Sequence, residues 1–263
     1  MYSLILNEVN SRKWIANGCK HRRNEPAVIY SNGDKEWWYN GMRHRGNDLP
    51  AIEYKNGNRE WWSFGQIHRY GDLPARISPD LKQWFKNGVT HRDYGLPAVI
   101  SSKSLNWFQK GKLHRIGDKP AIMNGRNLVW SWEDQFHRGD NKPAVIEGKI
   151  KEYFNFGKRY YFKTVCTKDG KELRKVFEKS KEYKLTSADD KPSMIYKNGT
   201  KEWHDEGVLH RKRGPAVVYS NGDKEWWHYS KRHRWDGPAV VHGKKKYFYK
   251  FGELNGEQDV CLD

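Results

Sequence analysis

A short pattern recurs along the whole chain at a nearly constant interval. A His-Arg pair appears eight times, and within each run of pairs the spacing is 23 or 24 residues. Pro-Ala begins five or six residues after each histidine. The pairs are His21-Arg22, His44-Arg45, His68-Arg69, His91-Arg92, His114-Arg115, His137-Arg138, His210-Arg211 and His233-Arg234. Two independent markers with one period predict a repeat protein, in which each repeat is one supersecondary element stacked on its neighbours.

The repeats are regular in two parts of the chain and weakened between them. Residues 1–144 hold regular repeats, 145–193 hold degenerate ones, and 194–263 hold regular repeats and a C-terminal cap. In the degenerate segment Gly157-Lys158-Arg159-Tyr160-Tyr161 replaces the usual Gly-x-x-His-Arg string. The stretch around Val176 could form a short amphipathic helix, but we favour a stretched copy of the repeat. We therefore predict one repeat domain, 1–263, of about ten repeats.

Each repeat carries the signals of a β-hairpin. In the repeat that starts at Pro50, two runs of β-branched and aromatic residues flank Asn56-Gly57. Asn-Gly is the strongest short-range signal for a two-residue hairpin turn, in which both residues have positive φ. A second glycine, Gly65, ends the second strand. Proline starts the first strand, a position at which its missing N–H removes no hydrogen bond from the middle of the sheet.

Stacking of these hairpins predicts the fold. A single hairpin is marginal in water, so neighbouring hairpins must cover each other's apolar faces. We predict an all-β fold, an elongated solenoid of about ten stacked 23-residue β-hairpin repeats. The composition agrees, because only 36% of the residues are hydrophobic while 13 are Trp and 15 are Tyr. Such flat rings cover a shallow sheet face without a deep aliphatic core.

The string aromatic-x-x-Gly-x-x-His, as in Trp38 to His44, resembles MORN repeats over almost the whole chain. Arg follows His, and a second Trp often precedes the expected aromatic, so the chain is more similar to MORN-variant repeats of bacterial antitoxin-like proteins and of large DNA viruses of protists. The resemblance implies a MORN-like hairpin fold and a protein-binding scaffold or membrane-proximal adaptor. In that family, catalysis belongs to attached domains, and we expect none here.

The recurring histidines do not predict a metal site. Equivalent atoms of successive stacked hairpins lie ~10 Å apart, whereas zinc ligands all lie ~2.1 Å from one ion. We therefore expect each imidazole to make a structural hydrogen bond next to the glycine bend. No catalytic residue, metal or cofactor and no small-molecule substrate are predicted, so the chain is not expected to be an enzyme.

The aromatic residues form two ladders, because adjacent strand residues point to opposite faces. The first ladder, four residues before the glycine, is nearly uniform and is predicted to be interior: Trp14, Trp37, Trp61, Trp84, Trp107, Trp130, Tyr153, Trp203, Trp226 and Phe248. The second ladder, three residues before it, varies more and includes Ile15, Ser131, Phe154, His204 and Tyr249. Its candidate partner-binding residues are Trp38, Trp62, Phe85, Phe108 and Trp227, although burial of both ladders is an equal alternative.

The arginines after each histidine form the arginine row, predicted to point outward once per repeat. Its candidate partner-binding members are Arg45, Arg69, Arg92, Arg115, Arg138, Arg211 and Arg234. A structural role is the alternative, either as stacking on Trp or as ion pairs with the glutamates directly before the Trp of the first ladder, a position we call the Trp station. These glutamates are Glu36, Glu60, Glu202 and Glu225. Because Gln83 and Asn106 replace that glutamate, Arg92 and Arg115 are predicted to be unpaired.

The charge indicates an anionic partner without choosing one. Lys and Arg total 49 against 32 Asp and Glu, a net charge of +17. We expect a non-catalytic scaffold that binds another macromolecule, first of all a protein, with a virion-associated protein as one form of this. The alternatives are electrostatic binding of nucleic acid or anionic membrane lipid through an arginine and aromatic surface, and an antitoxin-like inhibitor of a partner enzyme. Self-association is a further possibility, because end strands are unpaired.

The sequence also predicts a location. Its apolar runs are far shorter than the ~20 residues that span a bilayer, and the N-terminus has no signal-peptide pattern. The three cysteines, Cys19, Cys166 and Cys261, are scattered and form no CxxC, which favours a reducing compartment. We expect a cytoplasmic protein, in host cytoplasm or virion if viral, that is neither secreted nor transmembrane.

Overall fold

The computed structural model describes residues 3–180 and 183–259. Within these residues all regular secondary structure is β-strand, so the all-β prediction is confirmed. The chain divides into two compact units, Met1–His137 with Ala144–Lys151 and Arg138–Pro143 with Glu152–Asp263. We call these the first and the second unit.

The first unit contains a long antiparallel ladder in which successive strands pair in chain order, except that Cys19–Lys20 pairs only with Ser11–Ala16, which also pairs with Val28–Tyr30. In a typical step, Ile52 lies opposite Glu60, which lies opposite Arg76 on its other side. The strands of this ladder are Ser3–Glu8, Ser11–Ala16, Cys19–Lys20, Val28–Tyr30, Lys35–Glu36, Ile52–Glu53, Arg59–Glu60, Arg76–Ser78, Leu81–Gln83, Val99–Ser101, Leu105–Asn106, Ile122–Asn124, Asn127–Val129 and Val145–Glu147.

The second unit contains an antiparallel ladder of the same kind, in which Tyr183–Leu185 pairs only with Gly170–Phe177 and that strand also pairs with Met194–Tyr196. Its strands are Ile150–Asn155, most of which lies in this unit, and Lys158–Cys166, Gly170–Phe177, Tyr183–Leu185, Met194–Tyr196, Lys201–Glu202, Val217–Val218, Lys224–Glu225, Val240–His242, Lys245–Lys250 and Glu253–Asp259. The stretch around Val176 is therefore strand, as favoured over the helical alternative. Lys175 on the same strand is only 3% exposed, and its ammonium contacts Glu206 and the side-chain oxygen of Asn141.

Short two-stranded ribbons branch from both ladders directly after the Trp stations. They are Trp38–Tyr39 with Met42–Arg43, Trp62–Ser63 with Gln66–Ile67, Phe85–Lys86 with Val89–Thr90, Phe108–Gln109 with Lys112–Leu113, Ser131–Trp132 with Gln135–Phe136, His204–Asp205 with Val208–Leu209, and Trp227–His228 with Lys231–Arg232. Successive ribbons are joined by a backbone bond, as from the amide of Gly65 to the carbonyl of Arg43 (2.9 Å). A repeat thus contributes one strand pair to a ladder and one ribbon.

The Asn-Gly turn of the ladder is not the predicted two-residue turn. The amide of Gly33 donates to the carbonyl of Tyr30 (3.0 Å), and the amide of Tyr30 donates to the carbonyl of Asp34 (2.9 Å). In this loop φ is positive at Gly33 (97°) and not at Asn32, which is a three-residue loop ending in a glycine bulge. The prediction is wrong because the Asn32 side chain accepts a bond from the amide of Asp34 (3.0 Å), which favours an Asx turn at negative φ.

The second glycine closes the ribbon rather than ending a strand. Asn40 (φ 45°) and Gly41 (φ 77°) are both in the left-handed region, as a type I′ turn requires. The same pair of positive φ angles occurs at Asn17-Gly18, Phe64-Gly65, Asn87-Gly88, Lys110-Gly111, Glu133-Asp134, Phe156-Gly157, Glu206-Gly207, Tyr229-Ser230 and Phe251-Gly252. Asp134 and Ser230 therefore stand in for glycine, as the spacing predicts.

The core of each unit is built from the first ladder and the alanines of Pro-Ala. These alanines are 0% exposed, and Trp37, Trp61, Trp84, Trp107, Trp130 and Trp203 are 6–7% exposed. The amide of Trp61 donates to the carbonyl of Ala75 (2.8 Å), so the two residues pack in register. The predicted interior position is confirmed for these tryptophans, while Trp14, Tyr153, Trp226 and Phe248 are half-buried.

Candidate functional site

The arginine row lies over the first ladder instead of pointing outward. The guanidinium carbon lies 3.6–4.3 Å from the centroid of the Trp ring in the pairs Arg22/Trp14, Arg45/Trp37, Arg69/Trp61, Arg92/Trp84, Arg115/Trp107, Arg211/Trp203 and Arg234/Trp226. Nη1 of each of these arginines, and of Arg138, donates to the carbonyl of the next Pro-Ala proline at 3.0–3.4 Å. The structural alternative of stacking on Trp is confirmed, and the predicted outward row is wrong, because Trp rings and proline carbonyls hold these side chains against the loops.

At least three arginines of the row also bind an aspartate of the preceding repeat through both Nε and Nη2. The distances are 2.8 and 2.7 Å for Arg69 to Asp48, 2.9 and 3.0 Å for Arg92 to Asp72, and 2.9 and 2.8 Å for Arg211 to Asp190. These bonds lower the pKa of the Asp48 and Asp190 carboxyls. The prediction that Arg92 is unpaired is therefore wrong.

The glutamates before the Trp station serve the second ladder instead. Glu36 accepts the indole N–H of Trp38 (2.7 Å) and a bond from Arg43 (3.1 Å). The indoles of Trp62 and Trp227 are held in the same way by Glu60 (2.9 Å) and Glu225 (2.8 Å). Each of these glutamates ends a ladder strand and each of these tryptophans begins a ribbon, so the bond joins the two where the ribbon branches off. The predicted ladder of these glutamates with the arginine row is wrong; Arg45 pairs with a different glutamate, Glu53 (2.8 Å).

The second ladder is only partly accessible. Trp38, Trp62, Phe85, Phe108 and Trp227 are half-buried, and Ser131 and His204 are buried. The Arg43 guanidinium lies 4.9 Å from the Trp38 ring and 5.2 Å from the Trp62 ring. Most candidate residues from the sequence are thus placed where they stabilise the repeats.

Five histidines of the His-Arg pairs cap the next type I′ turn, whereas Nδ1 of His44 and of His114 is buried without a hydrogen-bond partner in the described part of the chain. Nδ1 of His21 accepts the amide of Asn40 (3.1 Å), and Nδ1 of His91 accepts that of Lys110 (3.2 Å). His68, His210 and His233 accept the equivalent amide at 3.3–3.4 Å. The predicted structural hydrogen bond beside the glycine bend is confirmed for these five histidines. Among the described residues, no group of three or more His, Cys, Asp or Glu could hold a metal ion.

We expect the melting temperature to fall by a few degrees between pH 7.5 and pH 5.0. Burial lowers the pKa of His44, His210 and His233 in the folded protein. Below the ordinary histidine pKa of ~6.5 the unfolded chain therefore binds more protons than the folded protein. The folded protein has its full stability above that pH and loses part of it as the pH falls through the ordinary pKa. Calorimetry at constant ionic strength checks this. His44→Gln should flatten the profile, and an unchanged melting temperature in the parent protein would contradict the prediction.

One buried cluster in the second unit has the order of a hydrolytic triad. Ser193 Oγ lies 2.8 Å from Nδ1 of His204, whose Nε2 lies 3.6 Å from a Glu202 carboxylate oxygen. Burial lowers the pKa of His204 and raises that of Glu202. Ser193 occupies the alanine position of Pro-Ala and is 0% exposed. A nucleophile must meet its substrate, so this cluster is a buried polar network.

Arg115 differs from Arg69 and Arg92 of the first unit, which each pair with an aspartate. Its Nη1 donates to the Pro120 carbonyl (3.0 Å) and approaches the Met123 sulfur (3.8 Å), but no carboxylate in the described part of the chain pairs with it. The reason lies two residues before proline, where Gly95 replaces the aspartate found at positions 48 and 72. The prediction that Arg115 is unpaired is confirmed, although the missing Asp, not Asn106, is the cause.

A cleft of about 380 Å³ opens beside Arg115. Tyr94, Leu96 and Ile116 line its apolar side, and Arg115 and Lys119 are cations on its wall. Asp93 also lines it, but its carboxylate accepts bonds from Lys86 (2.9 Å) and His91 (2.8 Å). The cleft therefore combines an arginine without a carboxylate partner with apolar side chains.

Exposed apolar side chains follow the arginines of three consecutive repeats in the first unit. Tyr70 is 74% exposed, Tyr94 89% and Ile116 69%. Trp235 follows Arg234 in the second unit and is 76% exposed. The sequence reasoning missed these residues; the available signal was an apolar residue one or two places after His-Arg, outside the strands.

No protein-family model matches this sequence, and no curated protein matches it significantly. Within residues 3–180 and 183–259 no helix is long and apolar enough to cross a membrane. Cys19 and Cys166 are exposed free thiols, and Cys261 lies outside the described residues.

Proposed function

We propose that the chain is a MORN-like solenoid of about ten hairpin repeats that acts as a non-catalytic scaffold and binds a protein partner. The observation that carries this proposal is the exposed apolar surface of Tyr94 and Ile116 on the wall of the Arg115 cleft. Clustered exposed apolar side chains are typical of protein interaction sites. The ribbons and ladders behind the cleft hold it on a rigid frame, since Trp107 and Arg115 are fixed by stacking at 3.6 Å.

Electrostatic binding of nucleic acid or anionic lipid has less support. The net charge of +17 favours it, but at least three arginines of the row already hold carboxylates within the chain. The cations that stay exposed include Lys212 and Lys245, which are 74% and 57% exposed in their side chains. Both are flexible lysines, whereas sites for single-stranded nucleic acid combine cations with aromatic side chains on which the bases stack.

Capture from native extract tests the proposal. The immobilised protein is expected to retain a protein that a variant carrying Tyr94→Ser and Ile116→Ser retains at least tenfold less well. Trp235→Ser is the matched control, because Trp235 is similarly exposed in the second unit, and it should retain the partner fully. Protein capture should persist between about 50 and 300 mM salt.

The alternative is measured in parallel with a DNA duplex and with phosphatidylserine vesicles. Electrostatic association loses affinity steeply with salt, because counterions are released on binding. Tight, salt-sensitive binding to DNA or vesicles, together with no protein whose capture depends on Tyr94 and Ile116, would contradict the proposed function.

A further inference from the structure

The Asp–Arg pairs of the first unit define a carboxylate site that is built in the same way each time. Asp48 and Asp72 accept two bonds from Nε and Nη2 of the following arginine at 2.7–3.0 Å. Nη1 of that arginine donates to a proline carbonyl, and its face lies on a Trp ring. The planar guanidinium fork fits the two oxygens of a carboxylate.

Arg115 has the same support without the carboxylate. The Trp107 ring lies 3.6 Å from its guanidinium carbon, and the Pro120 carbonyl accepts Nη1 at 3.0 Å. Gly95 leaves the Nε and Nη2 edge without an acceptor among the described residues. The side chain is therefore oriented before any ligand arrives, which reduces the entropy that binding costs.

We propose that the Arg115 cleft binds an acidic side chain of a protein partner, whose carboxylate takes the place that Asp48 and Asp72 fill in neighbouring repeats. This inference rests on the proposed function and specifies the chemistry of its site. Tyr94, Leu96 and Ile116 line the same cleft and fit apolar residues next to the acidic one. The chain thus uses a loop aspartate for stability in some repeats, and at Gly95 it leaves that place open for a partner.

The surroundings favour a carboxylate over a phosphate. Asp93 lies on the wall of the cleft, where it repels a dianion more strongly than a monoanion. The other titratable groups on the wall are Tyr94, His114, Lys119, His91, which is bonded to Asp93, and Arg92, whose fork is already held by Asp72. One oriented fork and one flexible lysine match a single acidic side chain.

Gly95→Asp supplies the missing carboxylate from within the chain. Gly95 has φ of 67°, close to the 51° of Asp72 in the equivalent place, and a Cβ built on Gly95 meets no atom within 4 Å. The variant should therefore fold with its new carboxylate on Arg115 and should exclude an external carboxylate. Gly95→Asn is the matched control, because asparagine also tolerates positive φ but carries no charge.

Binding is measured on the nitrogen-15 Nε–H resonances of the arginines, with the blocked tripeptide Leu-Asp-Leu as the probe. The Arg115 resonance is expected to shift saturably, at concentrations at least tenfold lower than with Leu-Asn-Leu. Gly95→Asp should weaken this response at least tenfold, while Gly95→Asn should retain it. The converse variant, Asp72→Gly, frees the Arg92 fork. In this variant the Arg92 resonance should also shift when Leu-Asp-Leu is added.

Three results would overturn the inference. They are equal responses to the Asp and Asn peptides, an undiminished response in a folded Gly95→Asp variant, and tighter binding of methyl phosphate than of the Asp peptide. Failure here is distinguishable from failure of the proposed function. A partner captured through Tyr94 and Ile116 that is insensitive to Gly95→Asp refutes the carboxylate site alone. A responsive Arg115 with no captured protein refutes the scaffold alone.

Discussion

Replacing Trp61 with alanine is expected to lower the free energy of unfolding by about 3–5 kcal/mol. Trp61 is 7% exposed and packs with Ile67 and Ala75 in the core of the first unit. Its indole N–H donates to the Asp48 carbonyl (3.0 Å), and the Arg69 guanidinium lies 3.9 Å from its ring. Truncation leaves a cavity, an unpaired carbonyl and an arginine without its support. Urea denaturation followed by circular dichroism measures the loss.

Two control variants separate burial from aromatic content. Trp61→Phe keeps an aromatic ring but loses the indole hydrogen bond, so we expect a loss of about 1–2 kcal/mol. Trp132→Ala removes a Trp that is 46% exposed, and surface changes of this kind usually cost less than about 0.5 kcal/mol. If Trp61→Ala and Trp132→Ala were equally harmful, the first ladder would not be the core of the repeats.

The backbone architecture could be predicted from the sequence where the signal is periodic. The 23-residue spacing and the uniform Trp at the first ladder indicated strands and their buried face. The turn type could not be derived from Asn-Gly alone, because the side chain of Asn32 competes for a local bond that changes the loop. The glycine at position 41 was assigned to a strand end although Asn40-Gly41 is itself a hairpin signal, because only one hairpin was expected in each repeat.

The site was harder to predict, because its decisive contacts join different repeats. The Arg69 side chain donates a hydrogen bond to Asp48, a residue 21 positions earlier. The repeat pattern instead suggested the glutamates next to Trp as partners of these arginines. A visible signal existed in the aspartate two residues before proline, which Gly95 replaces in the repeat before Arg115. Nothing in a single repeat shows that the loop reaches the next arginine, so only the stacked structure identifies Arg115 as the exception.

Replacing Ala75 with leucine is expected to lower the free energy of unfolding by about 1–3 kcal/mol, through overpacking. Ala75 is 0% exposed, and both its backbone groups are bonded, to Trp61 (2.8 Å) and to Gln83 (2.9 Å). The larger side chain must therefore displace Trp61 or bend the ladder. The measurement is the urea midpoint at constant slope.

Ala75→Ser is the matched control, since the second unit shows what the position accepts. Ser193 occupies the same place at 0% exposure, with its Oγ 3.3 Å from the Glu202 carbonyl. In Ala75→Ser the Gln83 carbonyl is the equivalent acceptor, so a satisfied hydroxyl should cost less than about 1 kcal/mol. A leucine tolerated as well as serine would mean that the alanine is not confined by its neighbours. In that case backbone pairing, rather than side-chain packing, would set the distance between successive repeats.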